Sequence, residues 1–274
     1  MVRIFSISNQ KGGVGKTTTA VNLAACFAAA ERPTLLIDLD PQGNACSGLG
    51  LIKQEYKKNI YHVLLGEVSL SDVIVPTSFD FLQIAPSNSD LVAADLELVS
   101  RFSRESKLKS AISSIADRYD FVVIDCPPSL NLLTVNALTA ADAVIVPVQC
   151  EYYALEGLSE LLKTIELIRD NLNPKLQVEG ILLTMFDARN NLSHQVVQEL
   201  KNHFPEKLFK AMIPRNVKLS ESPSHGKPIL LYDIKSKGSI SYLDFAKEIL
   251  DRFPAQRNVQ NYSSVQNEKT LMVS

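Results

Sequence analysis

Gln10-Lys11-Gly12-Gly13-Val14-Gly15-Lys16-Thr17-Thr18 is the stretch on which the fold of this chain turns. It follows an apolar run, residues 3–8 (RIFSIS), and precedes an alanine-rich helical stretch, residues 16–30. Glycines let consecutive backbone N–H groups converge on phosphate oxygens without Cβ clashes. A helix that begins on such a loop adds the positive end of its dipole. A lysine closing the loop reaches the terminal phosphates, and the hydroxyl after it is a magnesium ligand. Lys16 and Thr17 hold those positions, with Gly12, Gly13, Val14, Gly15 and Thr18 as the rest of an ATP-phosphate cradle. The string departs from the usual G-x-x-x-x-G-K-[ST] pattern. Gln10 stands where the first glycine is expected, and a second lysine, Lys11, precedes the glycine pair.

Outward from this loop, short apolar runs recur at residues 34–39 (TLLIDL), 80–85 (DFLQIA), 120–125 (DFVVID), 143–148 (AVIVPV) and 178–184 (VEGILLT), with a shorter one near 208–213 (LFKAMI). Their unbroken apolar character predicts parallel strands covered on both faces. Between them, residues 155–169 place Leu155, Leu158, Leu161, Leu162, Ile165 and Ile168 at helical spacing. Further helices are expected at 89–99, 105–118, 194–204 and 239–253. The alternation predicts an α/β fold: a doubly wound, mostly parallel sheet with helices on both faces and right-handed crossovers. Ligands of such sheets bind outside the carboxyl ends of the strands. Asp38 and Asp40 end one strand, two residues apart and therefore on one face. Asp125 ends another after four apolar residues, the Walker B layout whose aspartate holds magnesium.

Composition is that of an ordinary globular chain: 274 residues, 46% hydrophobic, 21% charged, formal charge −2. That charge excludes a uniformly basic nucleic-acid binder, so any such contact needs a local patch. Residues 1–188 carry 15 basic and 22 acidic side chains, whereas residues 189–257 carry 12 basic and 7 acidic. The cysteines, Cys26, Cys46, Cys126 and Cys150, form no C-x-x-C pair and are expected to be reduced, mostly buried thiols. The N-terminus lacks the regions of a signal peptide, and no segment approaches the length of a bilayer span, so a cytoplasmic location is expected. Residues 1–253 are expected to form a single domain. Residues 254–274, polar and without periodicity, are expected to be a disordered tail.

The string K-G-G-V-G-K-T-T resembles the deviant Walker A motif of the ParA/MinD superfamily of P-loop ATPases. L-L-I-D-L-D-P-Q-G-N, residues 35–44, resembles that group's second signature. Residues 148–157 (VQCEYYALEG), 182–189 (LLTMFDAR) and 213–228 (IPRNVKLSESPSHGKP) look like the chromosomal ParA/Soj branch, and the resemblance runs from residue 1 to about 253. It implies an ATP- and Mg2+-dependent ATPase of weak intrinsic activity that drives chromosome or plasmid partitioning and forms a homodimer when ATP-bound, with Lys11 acting across the interface on the partner's nucleotide. By the same match Lys11, Lys16 and Asp40 are catalytic, Asp40 orienting the attacking water. Thr17, Asp38 and Asp125 make up the magnesium shell, and Pro214 and Asn216 contact the adenine. The resemblance also implies non-specific DNA binding through Arg189 and Lys218, a nucleoid-associated protein, and a ParB/Spo0J-type centromere-binding partner that stimulates hydrolysis. Lys218 departs from the family's usual arginine, keeping the charge but losing the planar fork.

A MinD-like membrane switch for division-site placement is the competing reading. It needs a basic amphipathic C-terminal helix, whereas residues after Pro254 include only Arg257 and Lys269 as basic groups and no apolar stripe. No membrane partner is therefore expected. An iron–sulfur carrier would need cysteines spaced to bridge a cluster, and a tyrosine-kinase domain would need a tyrosine-rich tail, which Tyr262 alone does not supply.

Overall fold

The structure, a computed structural model, describes residues 1–151 and 154–254. Tyr152, Tyr153 and residues 255–274 lie outside the described residues, and with them nearly all of the expected tail.

The strands are β1 (Arg3–Ile7), β2 (Thr34–Asp38), β3 (Val75–Pro76), β4 (Leu82–Ala85), β5 (Phe121–Asp125), β6 (Ala143–Gln149), β7 (Gln177–Phe186) and β8 (Leu208–Pro214). They form one eight-stranded sheet in the order β3-β4-β2-β5-β1-β6-β7-β8. All neighbouring pairs are parallel except β3 with β4. The helices are α1 (Lys16–Ala29), α2 (Asn44–Gly48), α3 (Ile60–Leu65), α4 (Leu91–Glu97), α5 (Lys107–Ser113), α6 (Leu132–Ala140), α7 (Ala154–Asn171), α8 (Asn191–His203), α9 (Val217–Glu221), α10 (Ile229–Tyr232) and α11 (Lys237–Leu250).

Alternation along the strands explains the two-faced core. Phe5, Ile7, Leu36, Val123 and Ile145 pack with α1 and α11 on one face. Leu35, Ile37, Val122 and Ile124 point the other way, toward α3 to α6. Val144, Val146, Ile181 and Leu183 continue that second face under α7 and α8. Successive side chains of a strand face opposite sides, so a strand covered twice is apolar along most of its length, and the buried Ser6 of β1 is hydrogen-bonded to Ser8 and Cys126. Phe27 of α1 stacks on Phe121 at 4.2 Å between ring centroids, fixing that helix over the centre of the sheet.

The seven longer strands fall where the apolar runs predict them. The two-residue β3 and the short α2, α3, α9 and α10 carry too little pattern to be read. α6 escaped for another reason: Leu132–Ala140 is apolar on every side and shows no helical period.

β1 lies at the centre of the sheet, between β5 and β6. The chain leaves it toward β2, then returns through β5 and crosses to β6 on the other side. That reversal is a topological switch point, where doubly wound sheets bind ligands.

Candidate nucleotide-binding site

The loop between β1 and α1 is clamped from both sides. Asn9 holds its entry, donating from Nδ2 to the Pro147 carbonyl at 2.7 Å and accepting from Lys11 N–H at 3.0 Å. Thr184, at the end of β7, donates its hydroxyl to the Val14 carbonyl at 2.8 Å. Gly13 and Gly15 have φ of 76° and 86°, left-handed values at which a side chain is strained. Gly12 differs: its φ lies outside that region, and a Cβ there would meet nothing within 4 Å. Nothing within the chain requires a glycine at position 12.

Lys16 is buried, and its Nζ donates to the Lys11 carbonyl at 2.8 Å, so the loop closes around its own ammonium. Burial lowers the Lys16 pKa, and the nearby Asp125 carboxylate is the largest opposing influence. Lys11 points outward instead. Its ammonium pairs with Glu151, both side chains being close to half exposed.

Three carboxylates meet this loop. Asp38 and Asp125 are direct register neighbours on β2 and β5, and both are fully buried. Asp38 is engaged by backbone, accepting from Asp40 N–H at 3.2 Å and from Cys46 N–H at 3.0 Å. It therefore braces the turn that carries Asp40. Asp40 accepts from Gln42 N–H at 2.8 Å, and its carbonyl accepts from the Ser87 hydroxyl at 2.6 Å. Asp125 is the exception, since neither of its buried oxygens has a well-formed hydrogen bond. Burial pushes the carboxyls of both Asp38 and Asp125 upward. Asp125 moves furthest, since the Asp38 charge beside it adds to burial, while the Thr17 hydroxyl opposes the shift.

A buried carboxylate with two unused oxygens next to a threonine hydroxyl is an oxygen-only donor set, the chemistry of a hard divalent cation. Among the described residues no group of three or more His, Cys, Asp and Glu side chains converges on one point. Magnesium is held by few protein groups together with phosphates and waters, so the Asp125 carboxylate and Thr17 hydroxyl fit it. The four cysteines are buried and free. Burial pushes the Cys26 thiol up to about 12, and Cys126 and Cys150 up to about 11.

The expected adenine contacts lie at the end of β8. Arg215 N–H donates to the Phe186 carbonyl at 3.0 Å, so the end of β7 ties this turn to the phosphate loop through Thr184. Asn216 caps α9, its Oδ1 accepting from Leu219 N–H at 3.3 Å, which leaves its amide NH2 as the group available for a ligand. A cleft of about 290 Å³ runs beside α1 from Thr17 and Thr18 to Asn44, Ser47 and Lys227.

Arg189 and Lys218 stand on separate elements, each with a carboxylate of its own chain. Arg189, 90% exposed at its side chain, makes a two-pronged contact with Asp187 at 3.0 and 2.9 Å. That contact holds the Asp187 carboxyl down to about 2. Lys218 pairs with Glu221 at 3.0 Å. Asn9, Ser87, Glu151 and Thr184 carry no individual sequence signal for their roles, because the partners that define them lie far along the chain. Among the described residues no helix is long and apolar enough to cross a membrane.

Comparison with known proteins agrees with this geometry. A family model described as an AAA domain (AAA_31) matches residues 2–178. The chain is 56% identical to the chromosome partitioning protein ParA of Myxococcus xanthus, over 91% of this chain and 88% of that protein. It is 54% identical to the sporulation initiation inhibitor protein Soj of Bacillus subtilis, over 91% of this chain and 98% of that one. Among solved structures, cobyrinic acid a,c-diamide synthase of Mycobacterium smegmatis with bound ADP and magnesium superposes with a TM-score of 0.83 at 37% identity, covering 94% of this chain and 97% of that one.

Proposed function

The chain belongs to the ParA/Soj family of chromosome-partitioning P-loop ATPases, and from that premise we propose that it is an ATP-gated dimerising switch that binds DNA and is reset by slow hydrolysis. The observation that carries the reading is the phosphate loop set against Asp125, whose two buried oxygens have no well-formed hydrogen bond and whose neighbour is the Thr17 hydroxyl. Residues 1–253 act as one ATPase domain.

In this mechanism the loop amides and Lys16 Nζ receive the phosphates, the ammonium exchanging the Lys11 carbonyl for phosphate oxygens. Asp125 and the Thr17 hydroxyl would hold Mg2+, which would offset phosphate charge and the buried carboxylates alike. Asp38 takes part chiefly by fixing the turn that presents Asp40. Asp40 orients the attacking water. Lys11 leaves Glu151 and reaches the nucleotide of the second subunit, stabilising charge as an arginine finger does. The openness around Gly12 supports this arrangement, since a second backbone has room to approach there. Pro214 and the Asn216 amide hold the adenine.

Dimerisation turns DNA binding on by linking two sets of phosphate contacts, so the second contact becomes intramolecular. Arg189 and Lys218 supply part of each set, without base readout. A ParB/Spo0J-type partner speeds the reset, and the protein resides in the cytoplasm on the nucleoid.

The test is fluorescence anisotropy on DNA of arbitrary sequence with ATP, with ADP and without nucleotide, across a salt series. Binding with ATP alone, falling steeply with salt, is expected. Equal affinity in the three states would refute the switch.

A further inference from the structure

Helix α4 and the turn that follows it are apolar on two opposite sides. Leu91, Ala94 and Leu98 face the core and are fully buried. Val92, Leu96 and Val99 recur at i, i+4 and i+7 on the outer face, 64%, 81% and 58% exposed, and Phe102 just beyond is 95% exposed. A surface helix ordinarily turns polar residues outward, and contiguous large apolar side chains in water mark an interaction site.

The rim of this stripe is acidic. Tyr61 donates to Glu97 at 2.9 Å, and Glu97, Glu67 and Asp90 all raise its phenol. None of those three carboxylates has an ion-pair partner among the described residues. Of the nearby basic groups, Arg101 is exposed within the stripe between Val99 and Phe102, and Arg104 beyond it is committed to Glu105 and the Val99 carbonyl, so the cation stands at the Phe102 end and the carboxylates at the other.

The element is also wired to both carboxylate loops. Just before α4, Ser87 donates to the carbonyl of Asp40. Within α4, Asp95 accepts from Asn131, which lies in the loop after Asp125 and caps α6.

We propose that Val92, Leu96, Val99 and Phe102 form the docking surface for a basic amphipathic segment of a partner protein, and that docking there speeds hydrolysis through the Ser87–Asp40 and Asp95–Asn131 contacts. This rests on the reading of the chain as a partner-stimulated ATPase. A partner helix would lay its apolar face on the stripe and its cations on the acidic rim. A second copy would bring the same acidic rim against itself. Residues 255–274, nearly neutral, offer little positive charge for the rim.

The test uses the full-length chain and the full-length ParB-type partner of the same organism. The variants are Leu96→Ser/Phe102→Ser and Asp90→Lys/Glu97→Lys. All four positions are exposed, so both proteins should melt close to the wild type. Basal hydrolysis and ATP-driven dimerisation should be unchanged. The partner concentration for half-maximal stimulation should rise at least about tenfold in each. Binding of an apolar dye should fall in the serine variant. Undiminished stimulation of the variants would overturn the docking surface alone. Loss of ATP-driven dimers in the serine variant would assign the stripe to a second copy. Unchanged dye binding would mean that the chain's own tail already covers it. A wild type that the partner does not stimulate would overturn the partner reading, and this surface with it.

Discussion

Three glycines of one loop separate what the fold needs from what a second subunit needs. Gly13 and Gly15 sit at φ of 76° and 86°, where a Cβ costs about 1–2 kcal/mol. In a protein of this size each kcal/mol moves the melting temperature by about 2–4 °C. Gly13→Ala and Gly15→Ala should therefore each melt roughly 2–8 °C lower. At Gly12 neither strain nor a neighbour opposes a side chain, since a Cβ there meets nothing within 4 Å. Replacing glycine at a compatible position stabilises by about 0.4–1 kcal/mol through the unfolded chain, and the stiff χ1 of valine returns part of that. Gly12→Val should thus melt within about 3 °C of the wild type. The same variant should fail to dimerise with ATP, because the open space is where the other backbone would arrive. Differential scanning fluorimetry reads the first quantity, and light scattering with ATP the second. A Gly12→Val protein that dimerises normally would sink the in-trans geometry. One that melts as low as the Gly15 variant would show that position 12 is constrained within the monomer.

The carboxylates and surface cations give further expectations. Asp125→Asn should abolish hydrolysis yet stabilise the nucleotide-free protein. Its raised carboxyl makes the native state bind a proton more tightly than the unfolded chain. Wild-type stability therefore falls as pH rises from about 4, the ordinary carboxyl value, through the raised one. In EDTA the variant should match the wild type near pH 4 and melt roughly 2–8 °C higher at pH 8; a pH-independent difference would refute the buried-charge account. Asp40→Ala should keep ATP binding and lose turnover, accumulating dimers; wild-type phosphate release from this variant would remove Asp40 from the water-orienting role. Asp187→Asn and Glu221→Gln free Arg189 and Lys218 from their internal partners, so both should tighten binding to all DNA sequences by a few fold at moderate salt, whereas Arg189→Ala and Lys218→Ala should weaken it and flatten the salt dependence. No change from the acidic variants would mean that these cations do not face DNA.

What could be read from the sequence was what is local. The phosphate loop is nine consecutive residues, and its chemistry lies in their order. β2 and β5 are buried on both faces, so an unbroken apolar run ending in aspartate announced each strand and its functional end together. What could not be read was pairing across distance. Lys11 meets Glu151, Thr184 meets Val14 and Ser87 meets Asp40 across separations of 140, 170 and 47 residues, and no periodicity encodes such contacts. The outer face of α4 shows the same limit in reverse. Residues 89–99 announce a helix, but a pattern apolar on two sides is the same string whether its second side is buried or bare.

The register of β2 beside β5 sets two fully buried carboxylates, Asp38 and Asp125, side by side. Backbone N–H groups satisfy Asp38 and none satisfies Asp125. A sequence selected for stability alone would place an apolar residue or an asparagine at position 125, because an unpaired buried charge opposes folding. On the proposed mechanism the unfavourable term would be removed by the ligand: a divalent cation carried in with nucleotide phosphates would supply the missing partner. Whatever binds the native state and not the unfolded one adds to stability by mass action, so the site's internal repulsion becomes differential affinity for the loaded state. The phosphate loop, with the Lys16 ammonium turned onto the Lys11 carbonyl, would carry the same bias in the proposed mechanism, since that ammonium too would gain a charged partner when phosphates enter. The proposed mechanism would thereby couple nucleotide to the turns bearing Asp40 and Asn131, the same turns to which α4 and the residue before it are hydrogen-bonded, so that occupancy of the site and of the bare apolar face would act on one pair of loops.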